Sequence, residues 1–179
     1  MGGGKFRVPG TIENTITILK NDITPYTSAV LQVASERLEG ILLHDLPMIL
    51  NQVGMENLTI CVVPRAKSRY NPDQILFKET ISRVADLLDG FDNGINYIVR
   101  HTDTRTTHRN RAGYGGNGSL PYPGITIDTC TISNEVRNKD ILLIDDVYTK
   151  SVCIDEDVIQ ALFDRGANSV TFYSIGKTV

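Results

Sequence analysis

Two adjacent carboxylates, Asp145 and Asp146, follow the apolar segment Ile141 to Ile144, which has the length and composition of a buried strand. In open α/β sheets ligands bind at the carboxyl ends of strands, so this position is the first candidate for a site. Carboxylates there suit the vicinal hydroxyls of a sugar, or a hydrated Mg²⁺ ion, which takes oxygen ligands. The sequence therefore predicts Asp145 and Asp146 as catalytic and metal-binding residues.

The segment after the acidic pair has the composition of a short hydroxyl-bearing turn that leads into a helix. The backbone N–H groups of such a turn, and the amino terminus of the helix, suit a phosphate group. The residues predicted to bind substrate here are Val147, Tyr148, Thr149, Lys150, Ser151, Val152 and Cys153.

A basic loop follows another predicted strand, Leu58 to Val63. Residues 65–71 contain Arg65, Lys67 and Arg69 but no acidic residue, so the loop is a candidate binding site for a polyanion. Arg65 and Lys67 are the predicted catalytic cations, with Pro64 and Ala66 beside them as substrate-binding residues.

The densest basic stretch of the chain runs from Arg100 to Arg111, inside a non-periodic segment that extends to Gly124. A loop of this length in a compact domain is usually functional or disordered. One interpretation, carried by the four arginines, is a grip on the phosphate backbone of single-stranded nucleic acid. Another is an ordinary solvated loop.

The elements that must position these residues alternate between helices and strands. Apolar residues at helical spacing predict a first helix over Thr27 to Leu43, with Val30, Val33, Ala34, Leu38, Ile41 and Leu42 as its buried stripe. Further helices are predicted around Phe77 to Leu88, before Gly90, and around Val158 to Phe163, before Gly166. The other predicted strands are Ile95 to Val99, Ile125 to Ile132 and Val170 to Ile175. The pattern favours a mainly parallel sheet covered by helices.

Length and composition predict one soluble domain. The chain has 179 residues, of which 41% are hydrophobic and 22% charged, and no apolar run approaches the roughly 20 residues that cross a bilayer. Three widely spaced cysteines suggest reduced thiols and a cytoplasmic location. The net charge of −3 conceals a polarity, because residues 65–71 and residues 100–111 (four arginines less Asp103) each carry +3 and leave −9 on the rest.

The segment Ile141 to Thr149 resembles the motif of type I phosphoribosyltransferases, in which four apolar residues precede an acidic pair, two further apolar residues and a Thr-Thr-Gly-x-Thr turn. Lys150, Ser151 and Cys153 depart from that turn. The competence-associated, ComF-like group of the family is the most similar, because Val63-Pro64 and Asn71-Pro72-Asp73-Gln74 loosely match its anion-binding loop and the start of its next helix. The resemblance covers Leu58 to the carboxyl terminus.

The resemblance implies a type I phosphoribosyltransferase (Rossmann-like) fold with a flexible hood loop, in a single domain over 1–179 with an amino-terminal helical part (1–57) and a core (58–179). It also implies binding of phosphoribosyl pyrophosphate with Mg²⁺, and transfer of phosphoribose to a nitrogen acceptor with release of pyrophosphate. In this interpretation Asp145 and Asp146 hold the ribose hydroxyls, residues 149–152 hold the 5′-phosphate, and Arg65 with Lys67 holds the pyrophosphate. The hood closes over the bound ligand through Arg105, Arg109 and Arg111. The alternative, favoured by Lys150 and Ser151, is a catalytically inactive module that binds a phosphorylated sugar or nucleotide, or serves DNA handling. The sequence leaves the acceptor open, and a homodimer is one option for its assembly.

Overall fold

A computed structural model describes residues 7–20, 25–104, 124–148 and 154–177 of the chain. The chain divides into two compact units. The first comprises Met1–Asn57 and Tyr70–Asn93, and the second comprises Leu58–Arg69 and Gly94–Val179. No helix among the described residues is both long enough and apolar enough to cross a membrane.

The first unit contains three helices and one short strand: α1 (Ile12–Lys20), α2 (Ser28–Val53), α3 (Pro72–Leu87) and β2 (Phe91–Asn93). Helix α2 begins where the Thr27 side chain accepts a hydrogen bond from the backbone N–H of Val30, and it ends at Gly54, whose φ of 67° places it in the left-handed region. The predicted helix is confirmed but runs ten residues beyond Leu43. The predicted stripe is wrong at Val30 and Val33, which are exposed.

Helix α3 begins with a capping box, in which the Asn71 side chain accepts from the N–H of Gln74 and the Gln74 side chain accepts from the N–H of Asn71. Pro72 occupies the first turn, where its missing N–H costs nothing. The helix stops before Gly90, as predicted, and Gly90 has a φ of 82°. The segment Asn71 to Gln74 therefore opens a helix, as expected from the sequence.

The second unit contains the parallel strands β1 (Leu58–Val62), β5 (Asp140–Tyr148) and β6 (Ser169–Lys177), and helix α4 (Ile154–Asp164). Strand β5 lies between β1 and β6 and is parallel to both. The strand order of the whole sheet is β2-β1-β5-β6, so the protein is a mixed α/β fold with a mainly parallel sheet flanked by helices, compatible with a Rossmann-like fold.

Strands β3 (Ile98–Arg100) and β4 (Cys130–Ile132) form a separate antiparallel pair. Together with residues 101–104 and Gly124 they form the stem of the segment 105–123. Their buried side chains join a core with residues from β1, β5 and α4: Cys61, Val63, Ile98, Ile125, Cys130, Ile132, Val136, Ile141, Leu143, Val158, Leu162 and Ala167.

Three strand predictions need correction. The strand predicted at Ile95 to Val99 forms only over Ile98–Arg100, and the one predicted at Ile125 to Ile132 only over Cys130–Ile132. In the latter segment the Thr129 hydroxyl donates to the carbonyl oxygen of Gly124, and the Thr129 N–H to that of Thr126, so the backbone turns there. The strand predicted over Ile141 to Ile144 extends to Tyr148. The acidic pair therefore lies inside β5 and not after it.

Candidate functional site

The basic loop and the acidic pair lie on neighbouring strands of the second unit. Strand β1 is in register with β5 as far as Val62, which is opposite Ile144. The backbone N–H of Val63 then donates to the carbonyl oxygen of Ile144 at 2.9 Å, which extends the ladder by one residue. Adjacent strands lie about 4.8 Å apart. The chain that leaves β1 at Pro64 therefore starts beside Asp145 and Asp146.

The two carboxylates of the pair are in different environments. Asp145 is half-buried. Asp146 is only 3% exposed, and its Oδ1 accepts a hydrogen bond of 2.7 Å from the backbone N–H of Val147. Asp145 is therefore the more accessible of the two carboxylates.

The acidic pair suits a Mg²⁺ ion that is bound partly by the ligand. Within the described part of the chain, no group of three or more His, Cys, Asp or Glu side chains is arranged to hold a metal ion. Mg²⁺ is commonly bound by one or two carboxylates, with waters and the phosphate oxygens of a substrate as its other ligands. Asp145 and Asp146 suit this second kind of site, in which the ion arrives with a phosphorylated ligand.

Backbone and side-chain hydrogen bonds fasten residues 65–68 of the basic loop to the stem. The N–H of Thr104 donates to the carbonyl oxygen of Ala66 at 2.8 Å. The carboxylate of Asp103 accepts from both the backbone N–H and the hydroxyl of Ser68, each at 2.8 Å. These contacts give the loop a defined conformation.

Arg100 has a structural role in the same cluster. It is only 6% exposed, its Nε donates to the carbonyl oxygen of Arg65, and its Nη1 donates to that of Gly124 at 3.2 Å. One guanidinium thus joins the basic loop to the point where the chain returns from residues 105–123. The first arginine of the predicted basic stretch is therefore directed at backbone carbonyls inside the protein.

Two ionisable groups near the stem have shifted pKa values. Hydrogen bonds from the backbone and then from the side chain of Ser68 hold the pKa of Asp103 below its ordinary value of 3.8, with a further contribution from Lys67. Burial raises the pKa of the Cys130 thiol above 9.0. Asp103 is therefore a charged acceptor at neutral pH, whereas Cys130 is a neutral core residue and unsuited to act as a nucleophile.

Acidic residues occupy the first turn of the helix that follows the acidic pair. Helix α4 begins at Ile154 and carries Asp155, Glu156 and Asp157. Burial, and then the neighbouring Glu156, raise the pKa of Asp157. Carboxylates stabilise a helix amino terminus, but here they would also repel a phosphate bound to it. The predicted phosphate turn thus leads into a helix end with an unfavourable charge.

Tyr148 connects the end of β5 to this turn of α4. Its hydroxyl donates to the Glu156 carboxylate at 3.3 Å, and its ring packs edge-on against Phe172, with ring centroids 5.8 Å apart. Both contacts anchor the last residue of β5, which precedes the predicted phosphate turn.

The structure places the start of the basic loop, at Pro64, beside Asp145 and Asp146 of β5, because Val63 is hydrogen-bonded to Ile144. Arg65, Ala66 and Lys67 follow in the same loop, and Val147 and Tyr148 end β5. The other predicted site residues, Thr149, Lys150, Ser151, Val152, Cys153, Arg105, Arg109 and Arg111, lie outside the described residues. Ser68, Arg100 and Asp103 were not among the predicted site residues. The one available indication was that Asp103 is the only acidic residue in the stretch 100–111.

Comparison with known protein families found no family model that matches the chain, and comparison with curated proteins found no match. The function is therefore inferred from the chemistry and geometry of the site.

Proposed function

We propose that the protein binds phosphoribosyl pyrophosphate together with Mg²⁺ and transfers phosphoribose to a nitrogen acceptor, with release of pyrophosphate. The observation that carries this proposal is the register of β1 and β5, in which Val62 lies opposite Ile144. This register places the start of a loop that carries three cations next to a pair of carboxylates. A ligand that carries both a polyanion and sugar hydroxyls needs this combination.

The proposed reaction needs no covalent nucleophile from the protein. The anomeric carbon gains positive charge as pyrophosphate leaves, so positioning and electrostatic stabilisation carry the catalysis. Asp145 and Asp146 bind the ribose hydroxyls, while Arg65 and Lys67 bind the pyrophosphate. Bound Mg²⁺ would neutralise part of the charge on the leaving group. The buried, neutral thiol of Cys130 takes no part in this mechanism.

A second candidate is a module on the same fold that binds a phosphorylated sugar or nucleotide without turning it over. The observation in its favour is the acidic first turn of α4, with Asp155, Glu156 and Asp157. A 5′-phosphate next to this turn is repelled by like charges. The repulsion weakens the binding of the ribose phosphate and disfavours the aligned geometry that catalysis requires.

Isothermal titration calorimetry with phosphoribosyl pyrophosphate and MgCl₂ tests both candidates. The wild type is expected to bind the ligand with Mg²⁺ and more weakly with EDTA. The double variant Asp145→Asn/Asp146→Asn is expected to lose most of the affinity, because amides replace both carboxylates that bind the ribose. A matched control is Glu56→Gln/Asp89→Asn, which removes two exposed carboxylates of the first unit and is expected to bind as the wild type does.

An assay for released pyrophosphate, run with a panel of nucleobases and amines, separates the enzyme from the module. Pyrophosphate release with one acceptor supports the enzyme. Binding without release from any acceptor supports the module. Absence of binding to the wild type, or equal binding by the double variant, contradicts both.

A further inference from the structure

Asp103 makes a set of contacts that the proposed chemistry does not use. Its Oδ1 accepts two hydrogen bonds from Ser68, one from the backbone N–H and one from the hydroxyl, each 2.8 Å long. Its Oδ2 lies 3.8 Å from the Nζ of Lys67. One carboxylate thus contacts two consecutive residues of the basic loop from a position 35 residues later in the chain.

The same loop is held at two further points. The N–H of Thr104, the residue after Asp103, donates to the carbonyl oxygen of Ala66, and the Arg100 guanidinium donates to that of Arg65. Residues 65–68 therefore each contact the stem through a backbone or side-chain group. Asp103 is the member of this set that combines hydrogen-bond acceptance with a charge directed at Lys67.

We propose that Asp103 is a positioning residue that fixes the conformation of the basic loop and so orients Arg65 and Lys67 toward a bound pyrophosphate group. The consequence for binding rests on the proposed function, whereas the effect on the loop does not. Asp103 contacts no substrate in this proposal and acts through Ser68 and Lys67.

The alternative role for Asp103 is competition with an anion for Lys67. At 3.8 Å from Lys67, Asp103 neutralises part of the charge that an anion would bind, so its removal could also tighten binding. The two roles separate in a pair of variants. Asp103→Asn and Asp103→Ala remove the same charge, but asparagine keeps an oxygen that can accept from Ser68 and alanine keeps none.

The test measures the dissociation constant of inorganic pyrophosphate with MgCl₂ by calorimetry. We expect the dissociation constant of Asp103→Ala to exceed that of Asp103→Asn by about fivefold, the ratio that corresponds to one neutral hydrogen bond. Asp103→Asn is expected to bind as tightly as the wild type or more tightly, because it keeps the loop in place and frees Lys67. Asp128→Ala, which removes an exposed carboxylate of the same unit, serves as the control and is expected to match the wild type.

Hydrogen exchange followed by mass spectrometry tests the loop independently of any ligand. Asp103→Ala is expected to speed amide exchange in peptides that cover residues 65–68, whereas Asp103→Asn is not. Should Asp103→Ala fail to fold, Ser68→Ala removes one of the two hydrogen bonds and is expected to change exchange and affinity in the same direction by a smaller amount.

Equal pyrophosphate affinity in Asp103→Ala and Asp103→Asn overturns the positioning role, and if both then bind equally and more tightly than the wild type, the role of Asp103 is competition. If the wild type binds no pyrophosphate, the anion site of the proposed function fails. The positioning of the loop is then decided by exchange alone, and unchanged exchange in Asp103→Ala overturns it.

Discussion

The two residues of the acidic pair should respond differently to substitution, because one is buried and hydrogen-bonded to the backbone and the other is half-exposed. Asp146 is 3% exposed, and its carboxylate accepts from the N–H of Val147 at 2.7 Å. Asp146→Ala leaves that N–H without this acceptor, whereas Asp146→Asn provides an amide oxygen in the same place. We therefore expect Asp146→Ala to lower the free energy of unfolding and Asp146→Asn to leave it nearly unchanged.

The magnitude follows from the kind of bond that is lost. A hydrogen bond to a charged group contributes about 1.5–3 kcal/mol, and the lower end applies here because Val147 is only partly buried. For a chain of this length, about 1.5 kcal/mol lowers the thermal midpoint by about 3–6 °C. Asp145→Asn, at the half-buried position, is expected to lower the midpoint less than Asp146→Ala does and to lose affinity for phosphoribosyl pyrophosphate.

Differential scanning calorimetry of the three variants, together with titration of each with phosphoribosyl pyrophosphate and MgCl₂, measures both effects. The reasoning is refuted if Asp146→Ala and Asp146→Asn unfold at the same temperature, because the backbone contact then contributes nothing. It is equally refuted if Asp145→Asn lowers the midpoint as much as Asp146→Ala does.

Three further predictions concern the backbone near β1, helix α4 and the stem. Gly94→Ala should lower the free energy of unfolding by about 1–3 kcal/mol, because its Cβ would lie 3.0 Å from the carbonyl oxygen of Ile60. Gly40→Ala in α2 is the comparison and should raise the free energy of unfolding by about 0.5–1 kcal/mol, because a Cβ there meets open space. Urea denaturation measures both. Asp157→Asn should tighten binding of phosphoribosyl pyrophosphate in calorimetry, because it removes a charge that repels phosphate; equal or weaker binding contradicts this. The difference in unfolding free energy between wild type and Asp103→Asn should be constant above about pH 5 and shrink as the pH falls through 3.8 and below, since the pKa of Asp103 is lower in the folded state than in the unfolded one.

The sequence was sufficient to predict the elements that carry long apolar stripes. The buried apolar residues of α3 (Phe77, Ile81, Val84 and Ala85) repeat at helical spacing, and Asn71 and Gly90 mark the two ends, so local chemistry determines this helix. The short elements α1 and β2 were not predicted. Strand β2 has the sequence Phe-Asp-Asn, in which two of three residues disfavour strands, so only pairing within the fold explains it.

The end of β5 shows why the site could be predicted only in part. Its apolar run stops at Ile144, and two carboxylates follow, so the sequence indicates the end of a strand. The strand continues because β6 offers partners as far as Lys177, with Asp145 opposite Ser174. Pairing between distant segments outweighs local propensity here. The contacts of Asp103 with Ser68 have the same origin, since a separation of 35 residues carries no periodicity.

The charges of the described residues favour a compact anion over a nucleic-acid backbone as the ligand. Nucleic acid is held by cations that are exposed along a surface, and each contributes to the salt dependence of binding. Arg100 is buried against carbonyl oxygens, and Lys67 lies 3.8 Å from Asp103, so two cations of the basic segments are already engaged inside the protein. A protein that binds a nucleic-acid backbone would not gain from this arrangement. The proposed pyrophosphate site would gain from it, because cations held in fixed positions bind a small ligand in a single orientation.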